Sequence, residues 1–574
     1  MKEKLETLVR EALGELGIEA GVVVIERPAD MAHGDYSTNA ALAYAKMAGI
    51  SPRELAGKLV EKILETPNEE VKELEIAGPG FINFRLSDAY FSNALKEAVD
   101  QGEQWGHNEV LKGKKVIVEY TDPNPFKEFH IGHLMSNAIG ESISRIVEAS
   151  GAETKRACYQ GDVGMHVAKA VWDIKKRMCV REIPTGDGDW KQVILDYPYE
   201  FELDKNYANG SKAYESDEAA KNEIIQINKA IYIGNDEEIS YIWDEGRKKS
   251  LIEFEKIYKK LGTKFDHYFF ESKTGEFGKE IVLENPKIFE KGDNGAIVYK
   301  GDEEKGLHTR VFINSEGLPT YEAKELGLAK IKYDTYPYDT SIVITGNEVN
   351  AYFRVLLDAM SKVFPDLATK TIHISHGMLR LPTGKMSSRT GDVITAESLI
   401  ADTKEKALEK ISKELFTPVE QEELAEKVAI GAIKYSILRQ AAGKDIIFDF
   451  DQSLSFEGDS GPYLQYTYAR TRSLLEKAGE KSVDALCAHT QTNTLHKLLL
   501  RFPETILRAN EEREPHHIVT YLVELAREFN SFYGNNMILD NSADEAYKLA
   551  LVKAVSQTMK KGLTLLAIPT PERM

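Results

Sequence analysis

Cysteine is scarce in this chain of 574 residues: Cys158, Cys179 and Cys487 stand far apart and without CxxC spacing. That scarcity argues against a disulfide framework and against a cysteine-built zinc site. Long apolar runs are missing too. None approaches the roughly 18 residues needed to span a bilayer. The opening Met1-Lys-Glu-Lys-Leu-Glu6 is charged and begins an amphipathic helix, which is not the pattern of a secretory signal. There is no fixed-period repeat and no low-complexity tract. A cytoplasmic location without membrane partners fits these absences. Positive charge is also short, with 73 lysines and arginines against 92 aspartates and glutamates and a net charge of −19. Such a balance runs against a nucleic-acid binder, whose phosphate contacts need a basic surface. Global charge, however, governs solubility and association, not the local field over one face.

What is present describes a globular protein. Apolar residues make up 42% and charged residues 29% of a chain long enough for about three or four domains. Residues 1 to about 110 predict a small α+β domain. It has helical spacing at Leu5, Val9 and Leu13, a strand-like Gly21-Val-Val-Val-Ile25, and a strand pair over Glu73–Ala77 and Phe81–Leu86 turning at Gly78-Pro79-Gly80. From about 111 to 400, strands and helices alternate, which predicts an α/β, Rossmann-like parallel sheet covered on both faces. The charged, Tyr-rich span from about 170 to 300 reads as an insertion. From about 401 to 574, amphipathic helices such as Ala425–Gln440 and His516–Tyr533 predict an α-helical bundle.

Two segments carry chemistry. Asp122-Pro-Asn-Pro-Phe-Lys-Glu-Phe-His-Ile-Gly-His133 follows the β-type run Val116–Tyr120 and opens a stretch with helical apolar spacing. A strand, a turn and a helix N-terminus carrying histidines make a phosphate site, because free backbone N–H groups and the positive dipole end favour an anion. Spacing places His130 and His133 on one helix face. Their N–H donors can hold phosphate oxygens as charge builds there, with Lys127 adding a cation. The second segment, Leu381-Pro-Thr-Gly-Lys-Met-Ser-Ser-Arg-Thr-Gly391, sets Lys385 and Arg389 in a loop suited to closing over a polyphosphate. No Ser-His-Asp or reactive-cysteine arrangement is evident.

In this order and about 250 residues apart, the two segments resemble the HIGH-like and KMSK-like motifs of class I aminoacyl-tRNA synthetases. Further segments resemble arginyl-tRNA synthetase in particular. They are His33–Ala41 and Ala77–Phe84 of its N-terminal additional domain, the turn Gly161-Asp-Val-Gly164, the run Phe448-Asp-Phe-Asp451 with Phe456–Tyr466, and the ending Ala567–Met574. The resemblance implies an ATP-dependent ligase that forms arginyl-adenylate and passes arginine to tRNA(Arg), releasing AMP and pyrophosphate. It implies ATP as substrate, Mg²⁺ accompanying the ATP, L-arginine and tRNA as partners, no structural metal, and a monomer. His130, His133, Lys127 and Lys385 would be catalytic. Gly132, Gly346, Met378, Lys385, Met386, Ser387 and Arg389 would bind ATP, and Glu119, Asn124, Tyr321 and Glu325 would bind arginine. Tyr463, Tyr466, Asn530, Tyr533 and Met574 fall where the family meets tRNA.

Two positions depart from the family pattern. Glu325 replaces the usual Asp, and Val349 aligns with a usual Gln. The departures leave open a synthetase for another amino acid, or a non-catalytic tRNA-binding paralogue. Asp162 reads either as a turn-tying residue or as a substrate contact. Tyr463 and Tyr466 read as nucleotide stackers or as junction filler. His33, Asp35 and Asn83 read as turn caps or as tRNA contacts.

Overall fold

A computed structural model describes the chain apart from residues 29, 66–67, 178–179, 185–189, 195–201, 293, 383–393, 413 and 480–491. Residues 1–105, 471–502 and 527–558 form one compact unit, and 106–470, 503–526 and 559–574 a second.

The first unit begins with α1 (Lys2–Glu15), β1 (Ile25–Glu26), β2 (Tyr36–Thr38), α2 (Ala40–Ala48), α3 (Pro52–Glu65), β3 (Val71–Ala77), β4 (Phe81–Leu86) and α4 (Asp88–Gln101). Its antiparallel sheet has the order β1-β2-β4-β3. The amphipathic spacing of α1 and α3 buries Leu5, Val9, Leu13, Leu55 and Leu59. The expected strand over Gly21–Ile25 shrinks to Ile25–Glu26, because β2 offers it only two register partners, Thr38 and Ser37.

The second unit carries the parallel sheet. Its elements run β5 (Lys115–Glu119), α5 (Ile131–Ala149), β6 (Glu153–Gln160), α6 (Met165–Arg177) and the hairpin β7 (Val180–Pro184) with β8 (Trp190–Ile194). Then come α7 (Leu203–Ser216), α8 (Glu218–Ile233), α9 (Glu237–Leu261), β9 (His267–Phe270) and α10 (Glu271–Glu284). A small antiparallel sheet follows, made of β10 (Glu290–Lys291), β11 (Ile297–Tyr299) and β12 (Arg310–Ile313). After it lie α11 (Tyr321–Thr335), β13 (Thr340–Gly346), α12 (Asn350–Val363), α13 (Pro365–Lys370) and β14 (Thr371–His376).

The five parallel strands stand in the order β14-β13-β5-β6-β9. Chain direction across the sheet therefore reverses between β5 and β13, and the carboxyl ends of those two strands flank the crevice where open α/β sheets bind ligands. The stretch read as an insertion, about 170–300, also supplies β9, the edge strand of this sheet. Four residues, His267–Phe270, give too short a pattern to stand out among charged helices.

Beyond the sheet, β15 (Leu379–Arg380) pairs with β16 (Ile446–Ile447). The rest is helical: α14 (Ala396–Lys410), α15 (Pro418–Leu438), α16 (Phe450–Ser453), α17 (Gly461–Ala478), α18 (Thr494–Leu499), α19 (Phe502–Glu512), α20 (His516–Asn535) and α21 (Glu545–Leu565). The fold class is as the pattern predicts, a parallel-sheet domain with an N-terminal α+β domain and C-terminal helices.

Two cations fasten helix ends within the second unit. Lys434 on α15 is fully buried and donates to Leu261 O (2.5 Å) and Ala567 O (2.9 Å). Arg145 on α5 donates to Gly262 O (2.8 Å) and Thr564 O (2.7 Å). Both pairs of carbonyls end α9 and α21, where the helix dipole is negative. Burial, with Arg145 nearby, brings Lys434 down from the ordinary lysine value to about 7. The unfolded chain then keeps a proton that the folded chain releases above about pH 7, so stability rises with pH from there toward the lysine range. We expect wild type to gain roughly 2 kcal/mol over Lys434→Met between about pH 7 and pH 9. Urea unfolding of both proteins at the two pH values measures it; a stability difference that ignores pH would contradict it.

Candidate active site

The turn after β5 is strained and braced. Thr121, Asp122 and Phe126 have φ of 81°, 46° and 69°, each costing about 1–2 kcal/mol for a residue with a Cβ. Specific bonds hold them. Thr121 N donates to Ser136 Oγ (2.9 Å), Tyr159 N to Asp122 Oδ1 (2.7 Å) and Phe126 N to Ser250 Oγ (3.0 Å). Ser136 in turn donates to Ile344 O on β13, at 3.1 Å. The loop is thus tied to both strands at the switch point.

His130 does not lie on the helix face that its spacing suggests. It is the N-cap of α5, and its Nδ1 accepts from Gly132 N at 3.1 Å, while His133 Nδ1 accepts from His130 N at 3.2 Å. The two rings nonetheless stack at 3.6 Å. With each Nδ1 used as an acceptor, each proton sits on Nε2, which is a donor. Burial first, then Lys127, lowers the pKa of His130; burial, His130 and Lys127 press His133 well below the ordinary value. Both imidazoles are therefore neutral donors at pH 7. Lys127 Nζ rests 5.0 Å over the Tyr207 ring. A Cβ on Gly132 would meet His130 Cε1 at 2.9 Å, so glycine here makes room for the capping imidazole.

On the other side of the switch, a Cβ on Gly346 would strike the Glu348 carboxylate at 2.2 Å. Met378 is half exposed, with its N–H held by Asp445 Oδ1 at 2.8 Å. Lys385, Met386, Ser387 and Arg389 lie outside the described residues. The chain that follows them is fixed to the histidine segment: Ile131 N donates to Ile394 O (3.4 Å) and Ala396 N to Phe129 O (2.8 Å).

Carboxylates crowd the sheet end. Glu119 is buried at the tip of β5 and takes Lys332 Nζ from α11 at 2.5 Å. Burial and then Glu119 raise Glu325 to about 8, against the opposing pull of Lys332. Asp122 is likewise raised well above the carboxylate range by burial, Glu119 and Glu325. Glu271, the first residue of α10, pairs with Lys324 of α11 at 2.5 Å and also bears on Glu325. Asn124 reaches over Gly161, where a Cβ would meet Asn124 Oδ1 at 2.2 Å and Glu271 Oε1 at 3.2 Å. Tyr321 starts α11 and is 63% exposed. Val349 packs with Tyr352 against an apolar cluster that includes Phe353 and Leu356. Glu119 and Glu325 thus act on each other at the sheet end and Asn124 stands beside Gly161, while Tyr321 is exposed and Val349 packs with the core.

Asp162 is structural. It is fully buried, and its carboxylate accepts from Arg247 Nη1 (3.1 Å), Ser272 N (2.8 Å) and Ser272 Oγ (2.7 Å). Tyr466 is held by Phe456 and by Arg470, whose guanidinium lies 4.7 Å over the ring. Half-buried Tyr463 donates its N–H to Ser460 Oγ at 3.1 Å. Met574 packs on the α14–α15 cluster. Asn530 and Tyr533 belong to the first unit, where Tyr533 is 39% exposed beside Phe529. In the first domain, Asp35 accepts from Leu86 N (2.9 Å) and Lys497 Nζ (2.8 Å), and Asn83 accepts from Ser37 Oγ (2.8 Å). His33 is exposed on a cavity of about 580 Å³ that Asn83 and Phe81 also line.

Comparison with known proteins decides the family. Residues 94–450 match the family described as tRNA synthetases class I (R), catalytic domain. The chain belongs to the arginyl-tRNA synthetases. Residues 3–86 match the arginyl-tRNA synthetase N-terminal domain, and 464–574 the DALR anticodon binding domain. The arginine–tRNA ligase of Clostridium acetobutylicum is 33% identical over 98% of this chain and 97% of its own length. That of Fusobacterium nucleatum is 32% identical, over 94% and 93%. In fold, the chain is similar to the Thermus thermophilus arginyl-tRNA synthetase (TM-score 0.78, 24% identity, all of both chains). It is similar also to that of Plasmodium falciparum (TM-score 0.79, 21% identity, 100% and 99% covered). These matches favour neither a synthetase for another amino acid nor a non-catalytic paralogue.

Sequence reading missed Lys324, Lys332, Asp122 and Glu271. The lysine pairings span 53 and 213 residues, so no local pattern announces them. Neutral imidazoles beside the sheet end lead us to expect that His130→Ala or His133→Ala raises the adenylation barrier by roughly 2–4 kcal/mol, with a smaller effect on ATP affinity. Arginine-dependent ATP–pyrophosphate exchange measures this; wild-type rates in both variants would remove the histidines from the reaction.

Proposed function

We infer that this arginyl-tRNA synthetase ligates arginine to its cognate tRNA through arginyl-adenylate, consuming ATP and releasing AMP and pyrophosphate. The observation that carries the arginine pocket is the surplus of carboxylates grouped around buried Glu119. Glu119, Asp122 and Glu325 act on one another with one ammonium, Lys332, opposing them. Such a pocket is completed by a cation, and a guanidinium offers five donors and no acceptor. Glu119, Asn124 and Glu325 receive it, with Tyr321 at the rim.

Adenylation is in-line attack of the arginine carboxylate on the α-phosphorus of ATP, with pyrophosphate leaving. It needs placement and charge stabilisation, not a covalent nucleophile. His130 and His133 donate from Nε2 to phosphate oxygens, and Lys127 and Lys385 face the pyrophosphate, with Arg389 beside them. Gly132, Gly346, Met378, Met386 and Ser387 border the nucleotide. The donors at this edge are imidazole N–H groups and ammonium, which suit phosphate oxygens and not a bare cation. Mg²⁺ accordingly arrives on the ATP, held by phosphate oxygens and water. The tRNA is met by the first domain (residues 1–110) and the helical region (401–574), and the chemistry falls to the catalytic domain (111–400). We take Tyr463, Tyr466, Asn530, Tyr533 and Met574 as tRNA contacts. The enzyme works as a cytoplasmic monomer; among the described residues no helix is long and apolar enough to cross a membrane.

The test is aminoacylation of total tRNA with each of the twenty amino acids, where arginine alone is expected to be charged. A pH dependence follows from Glu325. Its carboxyl holds a proton below about pH 8, and binding a guanidinium favours its ionised form. Arginine kcat/KM should therefore rise with pH up to about 8. Glu325→Gln should lose that limb and fall at least about tenfold, a difference of about 1.4 kcal/mol. A silent Glu325→Gln would place the guanidinium elsewhere.

A further inference from the structure

Lys332 sits deep in α11, 3% exposed, with its ammonium between Glu119 Oε2 at 2.5 Å and Ser341 Oγ at 3.4 Å. An ammonium taken out of water is costly, and its pairing with a carboxylate on a distant strand is weak evidence for stability alone. Its place matters more: it bonds the carboxylate that also acts on Asp122 and Glu325. We propose that Lys332 is the resident counter-ion of the arginine pocket, a positioning residue that fixes one oxygen of Glu119 and leaves the pocket with negative charge for a further cation.

The charged and titratable groups facing it come from every side. They are Glu119 of β5, Asp122 of the following turn, Glu325 of α11 itself, and Tyr338 before β13. Glu325 is faced in addition by Glu271 of α10 and by the Tyr352 hydroxyl of α12. Glu271 already has Lys324 as its own partner. Lys332 is thus the cation that opposes the Glu119–Asp122–Glu325 group. Lys332 favours the ionised forms of Asp122 and Glu325 against burial and their neighbouring carboxylates. Its removal leaves those two carboxyls protonated to higher pH, and a guanidinium then meets a less charged pocket.

The proposal rests on the arginine reading above, so the experiment separates the two. Arginine-dependent ATP–pyrophosphate exchange is measured across pH, with tRNA present, for the full-length wild type, Lys332→Gln and Lys332→Arg. Wild type that ignores arginine would overturn the functional reading itself. Given an active wild type, Lys332→Gln should move the midpoint of the arginine kcat/KM profile upward by at least about one pH unit, with the loss recovering at high pH, and leave the ATP KM within about threefold. Lys332→Arg, which restores the charge, should keep the wild-type midpoint. Parallel profiles for wild type and Lys332→Gln would overturn the proposal. Should Lys332→Gln not fold, Glu119→Gln is compared with Glu119→Gln/Lys332→Met, which replaces the buried pair with neutral groups. In the single variant the unpaired ammonium faces the guanidinium; removing it should improve the arginine KM by at least about tenfold. No improvement would mean that Lys332 does not face the pocket.

Discussion

Everything at the site depends on one turn, residues 120–130, held at the place where the sheet reverses direction. It must deliver a carboxylate at its start and a pair of stacked imidazoles at its end. Three residues with a Cβ are forced to positive φ to do so. The strain is offset by bonds from three separate elements, one of them braced in turn by β13. Ser136 of α5 touches both the turn and β13, while Ser250 of α9 and the β6 backbone hold the rest. A loop so constrained has little freedom to rearrange, which is the condition for preorganised donors to act on a transition state without paying to reorient.

The same economy explains the histidines. In capping α5, His130 and His133 give up their Nδ1 atoms to backbone N–H groups and leave Nε2–H outward. Their structural and functional duties are thus one arrangement, and burial keeps both rings neutral. A protonated ring could not accept from the backbone, so the cap and the tautomer support each other.

How much of this was legible in the sequence follows from the range of the interactions. The strand Val116–Tyr120 and the helix His516–Tyr533 lie within two residues of where patterns put them, and Ala425–Gln440 falls along α15 though that helix begins at Pro418, because apolar periodicity is a local property. The histidine motif and Glu119 were visible through resemblance. The four-residue β9 was not, since it reads as part of a charged helical region. Val349 looked like a substrate-facing departure, whereas its side chain belongs to an apolar cluster with Tyr352. Lys324 and Lys332 were invisible as site residues: two more lysines in a helix rich in them, until the fold sets each against a carboxylate.

The overall acidity then takes on a different meaning. Three lysines, 324, 332 and 434, are spent in the interior on Glu271, Glu119 and two helix-end carbonyls. Replacing a whole pair, Lys324 with Glu271 or Lys332 with Glu119, by apolar side chains could cost little or even gain some stability, because desolvating an ion pair consumes most of its attraction. Lys434 has a purely structural target, two carbonyls that would otherwise be orphaned. Lys324 and Lys332 instead stand against Glu271 and Glu119, carboxylates of the cluster that we propose receives arginine. A stability argument accounts for the first and not for the other two. What distinguishes them is the pocket: a site for a permanent cation needs excess negative charge, and excess negative charge in the interior survives ionised only where some of it is answered by the protein itself.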